Sequence, residues 1–304
     1  MILENSCRFW SFTEEIRKRE LRYLIYIVII SGIACGMLFP QFSAYQRTIA
    51  YIVVFILILN FLEIEFEWKN FLRRELILTV FLSAFIISPI YYLVLSKGLN
   101  PDYRIGILLT AIAPSGVMPL VLSRFMHDID HDLIMGNFLV TTFGSIIYLP
   151  FMVKWLVGTT IQIPVGQLLF KTATMILLRY GVSVIMRAVF SETLAERIKQ
   201  YAKYVVLFLL FVNCVLVSSA ASQRLIWNEN LLRMVLLVFS VYIVQGGLAF
   251  LIGRFFWNKA IQKTLALIAS SRNNQITLGI AVINFAPAAA IPCIFGIITV
   301  SYTH

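Results

Sequence analysis

Long apolar runs separated by short polar connections dominate the chain. Each run is close to the roughly 20 residues that an α-helix needs to cross about 30 Å of hydrocarbon. The pattern therefore predicts an all-α polytopic membrane protein with ten transmembrane helices. The ten runs lie near residues 21–39, 48–64, 76–96, 105–126, 133–154, 165–187, 201–220, 232–253, 262–285 and 286–303.

The fourth and ninth runs are interrupted near their centres. The fourth contains Pro114, Ser115, Gly116 and Pro119, and proline breaks or kinks a helix because it removes a backbone donor and clashes with the preceding turn. The ninth contains the stretch ASSRNNQITLG, in which seven of the eight residues at 270–277 are polar. Both runs are therefore predicted to be broken helices.

The two interruptions occupy the same position in two halves of five runs each. We divide the chain into a cytoplasmic tail at 1–20, a first five-helix repeat at 21–155 and a second at 156–304. An odd number of spans per half gives the halves opposite membrane orientation, so the repeats are predicted to be inverted. Paired interruptions at matching positions are the best sequence indication of a transporter binding site.

Composition and charge agree with this class. The chain is 60% hydrophobic and 13% charged, with a mean hydropathy of +0.86, whereas soluble domains carry about 25% charged residues. Of the 25 Lys and Arg residues, sixteen fall on the side of the N-terminus, six on the other side and three within runs. This bias predicts cytoplasmic termini and accounts for the net charge without nucleic acid. With no cleavable signal or organelle signal evident, we expect a bacterial inner-membrane protein.

Three stretches carry a family resemblance. GILLTAIAPSGVMPLVLSRFM at 106–126 and NFLVTTFGSIIYLP at 137–150 resemble the fourth and fifth spans of the bile acid:sodium symporter family. ASSRNNQITLGIAVINF at 269–285 resembles its ninth. The resemblance covers essentially the whole chain. It implies that spans four and nine cross as broken helices, and that a core domain moves against a panel of spans one, two, six and seven in alternating access.

The chain departs from the sodium-coupled members at the positions where they bind their ions. Those positions read Ala84, Pro119, Leu120, Ile134, Phe138 and Ser270 here. All fifteen acidic residues lie at span ends, in loops or in the tail, although a sodium site usually needs hard oxygen ligands with a negative charge. We therefore expect that the usual sodium sites are lost. The arsenical-resistance branch of the wider family would favour a cysteine at the fourth-span break, where this chain has Ser115.

Arg272 is the most unusual residue of the ninth run, since placing an arginine in mid-membrane costs free energy. One hypothesis makes its guanidinium a fixed cation in the place of a transported sodium, held by Asn273, Asn274, Gln275 and by carbonyls of the broken helices. That cation would attract a small anionic organic substrate. The alternative is a structural arginine that pairs with carbonyl ends of the broken helices.

Further residues are candidates for lining the substrate path. Asn137 and Thr141 share one face of the fifth helix at i, i+4, although a polar seam that only packs is an equal alternative. Arg179 is embedded in the sixth run and either lines the path or meets lipid headgroups. The remaining candidates flank the two interruptions and are Pro114, Ser115, Ser270 and Ser271.

The loop HDIDHD at 127–132 supports rival classes. His127 and His131 have a spacing compatible with a metal, which would suit a metal-dependent intramembrane enzyme, or they could couple transport to protons. A polar turn at the membrane surface is the simpler interpretation, and we expect no metal site and no cofactor.

The preferred function is a secondary transporter of a small anionic solute. The alternatives are a proton-coupled arsenical or oxyanion efflux permease and a sodium-dependent bile-acid-like symporter. The partners expected are the substrate and the lipid bilayer, with the oligomeric state left open.

Overall fold

A computed structural model describes residues 27–45, 48–62, 73–116, 119, 128–158, 165–190, 192–222 and 229–302. Within these residues the chain is all-helical, and its one β-type pairing is an isolated bridge between Ser115 and Arg272. The helices are α1 Ile27–Leu38, α2 Thr48–Leu62, α3 Arg74–Leu95, α4 Pro101–Ala111, α5 His131–Val157, α6 Val165–Val189, α7 Glu192–Ala221, α8 Glu229–Phe256, α9 Lys259–Ser270, α10 Asn274–Asn284 and α11 Ile291–Tyr302.

The described helices are those of a protein in lipid. Four of them contain a stretch long and apolar enough to cross a membrane by themselves, namely α3, α5, α8 and the Val165–Met186 part of α6. Large apolar side chains remain exposed on α6, α7 and α8, as for Phe170 (70%), Phe208 (65%) and Ile243 (66%). Lipid accommodates such side chains, whereas water does not. The protein is an integral membrane protein, and the count of ten spans in two inverted repeats stays a prediction.

Side-chain caps start three of the helices near the two interruptions, α4, α5 and α9. Asn100 accepts a hydrogen bond from the amide of Asp102 at the start of α4, with Pro101 as the first helical residue. Asp130 and Asn258 cap α5 and α9 in the same way, each accepting from the amide three residues later at 2.9 Å. These caps satisfy amides that have no partner inside a helix.

The helices are named by the panel and core groups that the family resemblance implies. The panel group consists of α1, α2, α6 and α7, in which α2 packs on α6 and α7, and α1 approaches α7 closely at Gly36. The core group consists of α3, α4, α5, α8, α9, α10 and α11, with α8 packed on α9, α4 and α11. The groups meet where α10 packs on α2 and where α5 packs on α6.

Candidate functional site

The two predicted interruptions are present and lie against each other. Helix α4 ends at Ala111, three residues before Pro114, and the ninth run unwinds between the end of α9 and the start of α10. Ser115 and Arg272 face each other as an antiparallel bridge. The amide of Gly116 donates to the carbonyl of Ser271 at 3.0 Å, and the amide of Asn273 donates to the carbonyl of Pro114 at 2.7 Å. Each break therefore satisfies backbone groups that the other exposes.

Four consecutive carbonyls at the α4 break each accept a hydrogen bond from a different donor. Breaking a helix leaves its last carbonyls without intrahelical partners. Here the donors are Gln245 Nε2 to Ala111 at 2.9 Å, Tyr148 Oη to Ile112 at 3.2 Å, Arg272 Nη1 to Ala113 at 3.3 Å and the Asn273 amide to Pro114 at 2.7 Å. The break is thus held by α5, α8 and the unwound segment between α9 and α10.

Arg272 is buried where the two breaks meet, with 4% of its surface exposed. Its Nε donates to Gln245 Oε1 at 2.9 Å, and its Nη1 donates to the carbonyl of Ala113. The second bond is the pairing with a helix end that the structural interpretation expects. It also places the positive charge at the C-terminal end of α4, where the helix dipole contributes about half a negative charge.

The assignment of neighbouring amides to the guanidinium is wrong for Asn274. Its Nδ2 donates to Tyr242 Oη at 2.6 Å, and its Oδ1 has no hydrogen-bond partner among the described residues. The reason is that Asn274 belongs to α10, on a side of that helix that faces Tyr242 of α8. Asn273 contributes its backbone amide to the bridge, and Gln275 lies half-buried in the first turn of α10.

No carboxylate pairs with Arg272 in the part of the chain that the structure describes. The ion pairs found there are Arg73 with Glu75, Arg73 with Asp130 and Lys263 with Asp128, all near helix ends. The Arg272 guanidinium donates to a neutral amide oxygen and to a neutral carbonyl oxygen. Among the described residues, its charge is therefore compensated only by dipoles.

Several buried oxygens without hydrogen-bond partners lie at the breaks or next to a residue that contacts them. Over the described residues, they include Ser115 Oγ in the α4 break, Ser271 Oγ in the second break, Asn274 Oδ1 at the start of α10 and Thr142 Oγ1 on α5. Unsatisfied buried polar groups are rare in folded proteins, and each one calls for an explanation. Their location marks the meeting of the breaks as the place where a ligand would find open polar partners.

The candidates on α5 take different positions. Thr141 contacts the break directly, because its Oγ1 accepts from the amide of Ser115 at 3.0 Å. Asn137 lies one turn away and faces α3, where its Oδ1 accepts from Thr79 at 2.7 Å. Thr141 also donates to the carbonyl of Asn137. The polar face of α5 is therefore partly a packing seam and partly a support for the break. Ser270, on α9, donates back to its own helix at Leu267.

Two sets of candidates are not brought into contact with the breaks. Arg179 is buried on α6, with 4% of its surface exposed, which excludes a contact with lipid headgroups. His131 is exposed at the first residue of α5, ten residues or about 15 Å of helix from Thr141, and His127 lies outside the described residues. Over the described part of the chain, no group of three His, Cys, Asp or Glu side chains could hold a metal ion.

Sequence reasoning missed the α8 residues that hold the breaks. Gln245 is fully buried and connects the end of α4 to Arg272, and Tyr242, one turn earlier on α8, holds Asn274. One indication was available, since Gln245 is a single amide in the apolar stretch VYIVQGGLAF. Polar residues inside membrane helices usually face other helices and mark functional regions.

The sequence matches the family model described as the Sodium Bile acid symporter family over residues 48–228, more than half of the chain. The chain belongs to this family. Members of the sodium bile acid symporter family are transporters and not enzymes, so the hypothesis of an intramembrane enzyme is wrong. The protein is a secondary transporter with a small-molecule substrate. The match includes the α4 break and ends before Gln245 and Arg272.

A bacterial relative covers more of the chain. The sequence is 22% identical over 283 residues to the uncharacterized sodium-dependent transporter YocS of Bacillus subtilis (strain 168). The similar region spans 88% of this chain and 84% of that protein. It therefore extends the similarity beyond the region that the family model matches.

Proposed function

We propose that this transporter moves a small anionic organic solute by alternating access, and that Arg272 takes the role that a sodium ion has in sodium-dependent relatives. The observation that supports this proposal is the buried guanidinium at the meeting of the two breaks, which donates to a neutral amide oxygen and a neutral carbonyl oxygen. We place the protein in the bacterial inner membrane with both termini in the cytoplasm.

The energetic argument starts from the cost of a buried cation. Even after relaxation, an ion removed from water loses several kcal/mol of solvation that dipoles recover only in part. An anionic substrate that approaches the breaks would recover more of it. A solute cation there would be repelled, since two unit charges about 5 Å apart interact by about 3 kcal/mol at an effective dielectric constant of about 20. The site therefore favours anions over cations.

A second candidate is sodium-coupled transport, and a specific observation favours it. Ser115, Thr142, Ser271 and Asn274 each present a buried oxygen without a partner among the described residues. Hydroxyl and amide oxygens are hard ligands of the kind that sodium uses, and the relative YocS is called sodium-dependent. Repulsion by the Arg272 charge opposes a sodium ion at these oxygens, so we rank this function second.

Ligand binding with and without sodium tests the proposal. We would measure the melting temperature of the detergent-purified protein with organic carboxylates as potassium salts, and repeat the measurement with added sodium chloride. A bound ligand stabilises the folded state. We expect a carboxylate to raise the melting temperature equally in both salts and to enter proteoliposomes without a sodium gradient. Strict sodium dependence of either result would overturn the proposal in favour of the second candidate.

Arg272→Met supplies the second arm of this test, with Arg254→Met as the matched control. Arg254 is exposed near the end of α8, so its replacement removes one positive charge without touching the breaks. We expect Arg272→Met to abolish uptake and Arg254→Met to preserve it. Normal uptake by a folded Arg272→Met variant would overturn the fixed-cation role.

A further inference from the structure

Arg179 is a second buried cation, and its surroundings differ from those of Arg272. It lies in the middle of α6 with 4% of its surface exposed. Its Nε and Nη1 have no hydrogen-bond partner among the described residues, whereas the same two nitrogens of Arg272 are both engaged. A buried guanidinium whose N–H donors lack acceptors destabilises the folded protein when no ligand is bound. Arg179 is therefore poorly explained as a residue that holds the fold together.

The face of α6 that carries Arg179 is directed toward the boundary between the panel and core groups. The buried residues of α6 recur at helical spacing and are Leu168, Thr172, Met175, Ile176, Arg179 and Ser183. Met175, one turn before Arg179, packs against Gly279 of α10, which Val53 of α2 also approaches. A Cβ atom at Gly279 would lie 2.4 Å from Met175 Cε and 3.0 Å from Val53 Cγ1.

Two contacts define the register of α6 against α10. Lys171 Nζ donates to Asn284 Oδ1 at 3.0 Å, and Met175 touches Gly279. From the first contact to the second, the residue number rises on α6 and falls on α10, so the two helices run antiparallel here. One further turn along α6 reaches Arg179, and one further turn back along α10 reaches Asn274 and Gln275. Arg179 is thus level with the N-terminus of α10, where Asn274 Oδ1 is unsatisfied.

We propose that Arg179 binds the carboxylate group of the substrate, between α6 and the first turn of α10. This inference rests on the proposed function and assigns different roles to the two buried cations. Arg272 is a fixed charge held by Gln245 and Ala113, and Arg179 is the donor that pairs with the ligand. A carboxylate matches a guanidinium through charge-assisted hydrogen bonds. The positive end of the α10 dipole favours an anion at the same level. Because Arg179 lies on the panel group and α10 on the core group, the bound anion would connect the two groups.

Thermal stability and ligand binding separate this role from a structural one. We would compare Arg179→Gln, Arg179→Lys and Arg272→Gln in detergent, using benzoate, pyruvate and cholate as potassium salts at about 20 mM. The neutral amides of the same acids are the matched ligands. In the absence of ligand, we expect Arg179→Gln to melt at or above the wild-type temperature, because it removes an unsatisfied buried charge. We expect Arg272→Gln to melt lower, because it leaves Gln245 and Ala113 without their donor.

The ligand-dependent results then decide the assignment. The wild type should be stabilised by at least one carboxylate and not by its amide. Arg179→Gln should bind that carboxylate about thirtyfold or more weakly, while Arg179→Lys should retain part of the affinity. Equal binding by Arg179→Gln and wild type would overturn the inference and leave the proposed function intact. So would an Arg179→Gln variant that fails to fold or melts as low as Arg272→Gln. If no carboxylate stabilised the wild type, the anionic substrate of the proposed function would be wrong, and this inference with it.

Discussion

Replacing Gln245 by glutamate tests the charge at the breaks while nearly preserving the shape of the side chain. Gln245 Oε1 accepts from Arg272 Nε at 2.9 Å, and its Nε2 donates to the carbonyl of Ala111 at 2.9 Å. A glutamate at 245 would keep the first contact as an ion pair and lose the second. The variant therefore neutralises the fixed cation without removing it.

The expected magnitudes follow from these two contacts. Loss of one neutral hydrogen bond costs about 1 kcal/mol, and the new ion pair offsets a loss of this size, so we expect little change in melting temperature. An anion about 8 Å from the guanidinium loses about 2 kcal/mol of attraction at an effective dielectric constant of about 20. That loss corresponds to roughly thirtyfold weaker binding.

The assay is uptake into proteoliposomes of the carboxylate that stabilises the wild type most, together with its binding affinity in detergent. Gln245→Met is the matched control, because it removes both hydrogen bonds and leaves the charge of Arg272 in place. It should lose about 2–4 kcal/mol of stability from one charged and one neutral hydrogen bond. A folded Gln245→Glu variant with wild-type affinity would refute the electrostatic reasoning. If the site instead binds sodium, the new carboxylate should strengthen sodium binding, so the sign of the effect separates the two functions.

Three further predictions concern the scaffold, each measured as a melting temperature in detergent. Asp130→Ala removes the cap of α5 and an ion pair of 2.7 Å and should cost about 1–3 kcal/mol. Asp128→Asn removes an exposed ion pair and keeps a side chain that tolerates the positive φ of 57° at this position, so it should change nothing measurable; equal losses would contradict the capping role. Gly279→Val should cost about 1–3 kcal/mol by overpacking, and Met175→Ala should restore stability. Absence of rescue would contradict the register of α6 against α10. Thr141→Val leaves the backbone amide of the α4 break without its acceptor and should cost about 1–3 kcal/mol, whereas Thr141→Ser should not; a neutral Thr141→Val would contradict this support.

The positions of the two breaks could be predicted because they violate local rules. Pro114 cannot continue α4, and the polar run around Arg272 cannot form a lipid-facing helix. Each violation is visible without knowledge of any other helix. The side chains that donate hydrogen bonds to the breaks could not be predicted in this way. Gln245 and Tyr148 reach the end of α4 from α8 and α5, and the rotation of one helix against another depends on packing across the whole core group.

The same difference explains the error at Asn274. Proximity in sequence suggested that it would hold Arg272, but the rotation of α10 about its axis turns Asn274 toward Tyr242 of α8. Arg179 shows the opposite case. Its charge in an apolar run was visible from the sequence. Its burial, its open donors and its position opposite the start of α10 depend on how α6 packs against other helices.

The donors at the α4 break also constrain how the protein is made. Ala111 and Ala113 accept hydrogen bonds from residues 134 and 159 positions later in the chain. During synthesis, the first half therefore enters the bilayer before these partners exist, and its broken helix carries open carbonyls that lipid cannot satisfy. The carbonyls of Ala111 and Ala113 therefore gain their partners only after α8 and the segment between α9 and α10 have been inserted. A fragment that stops before α8 should be a substrate for quality-control proteases, and co-expression of the missing helices α8 to α11 should rescue it.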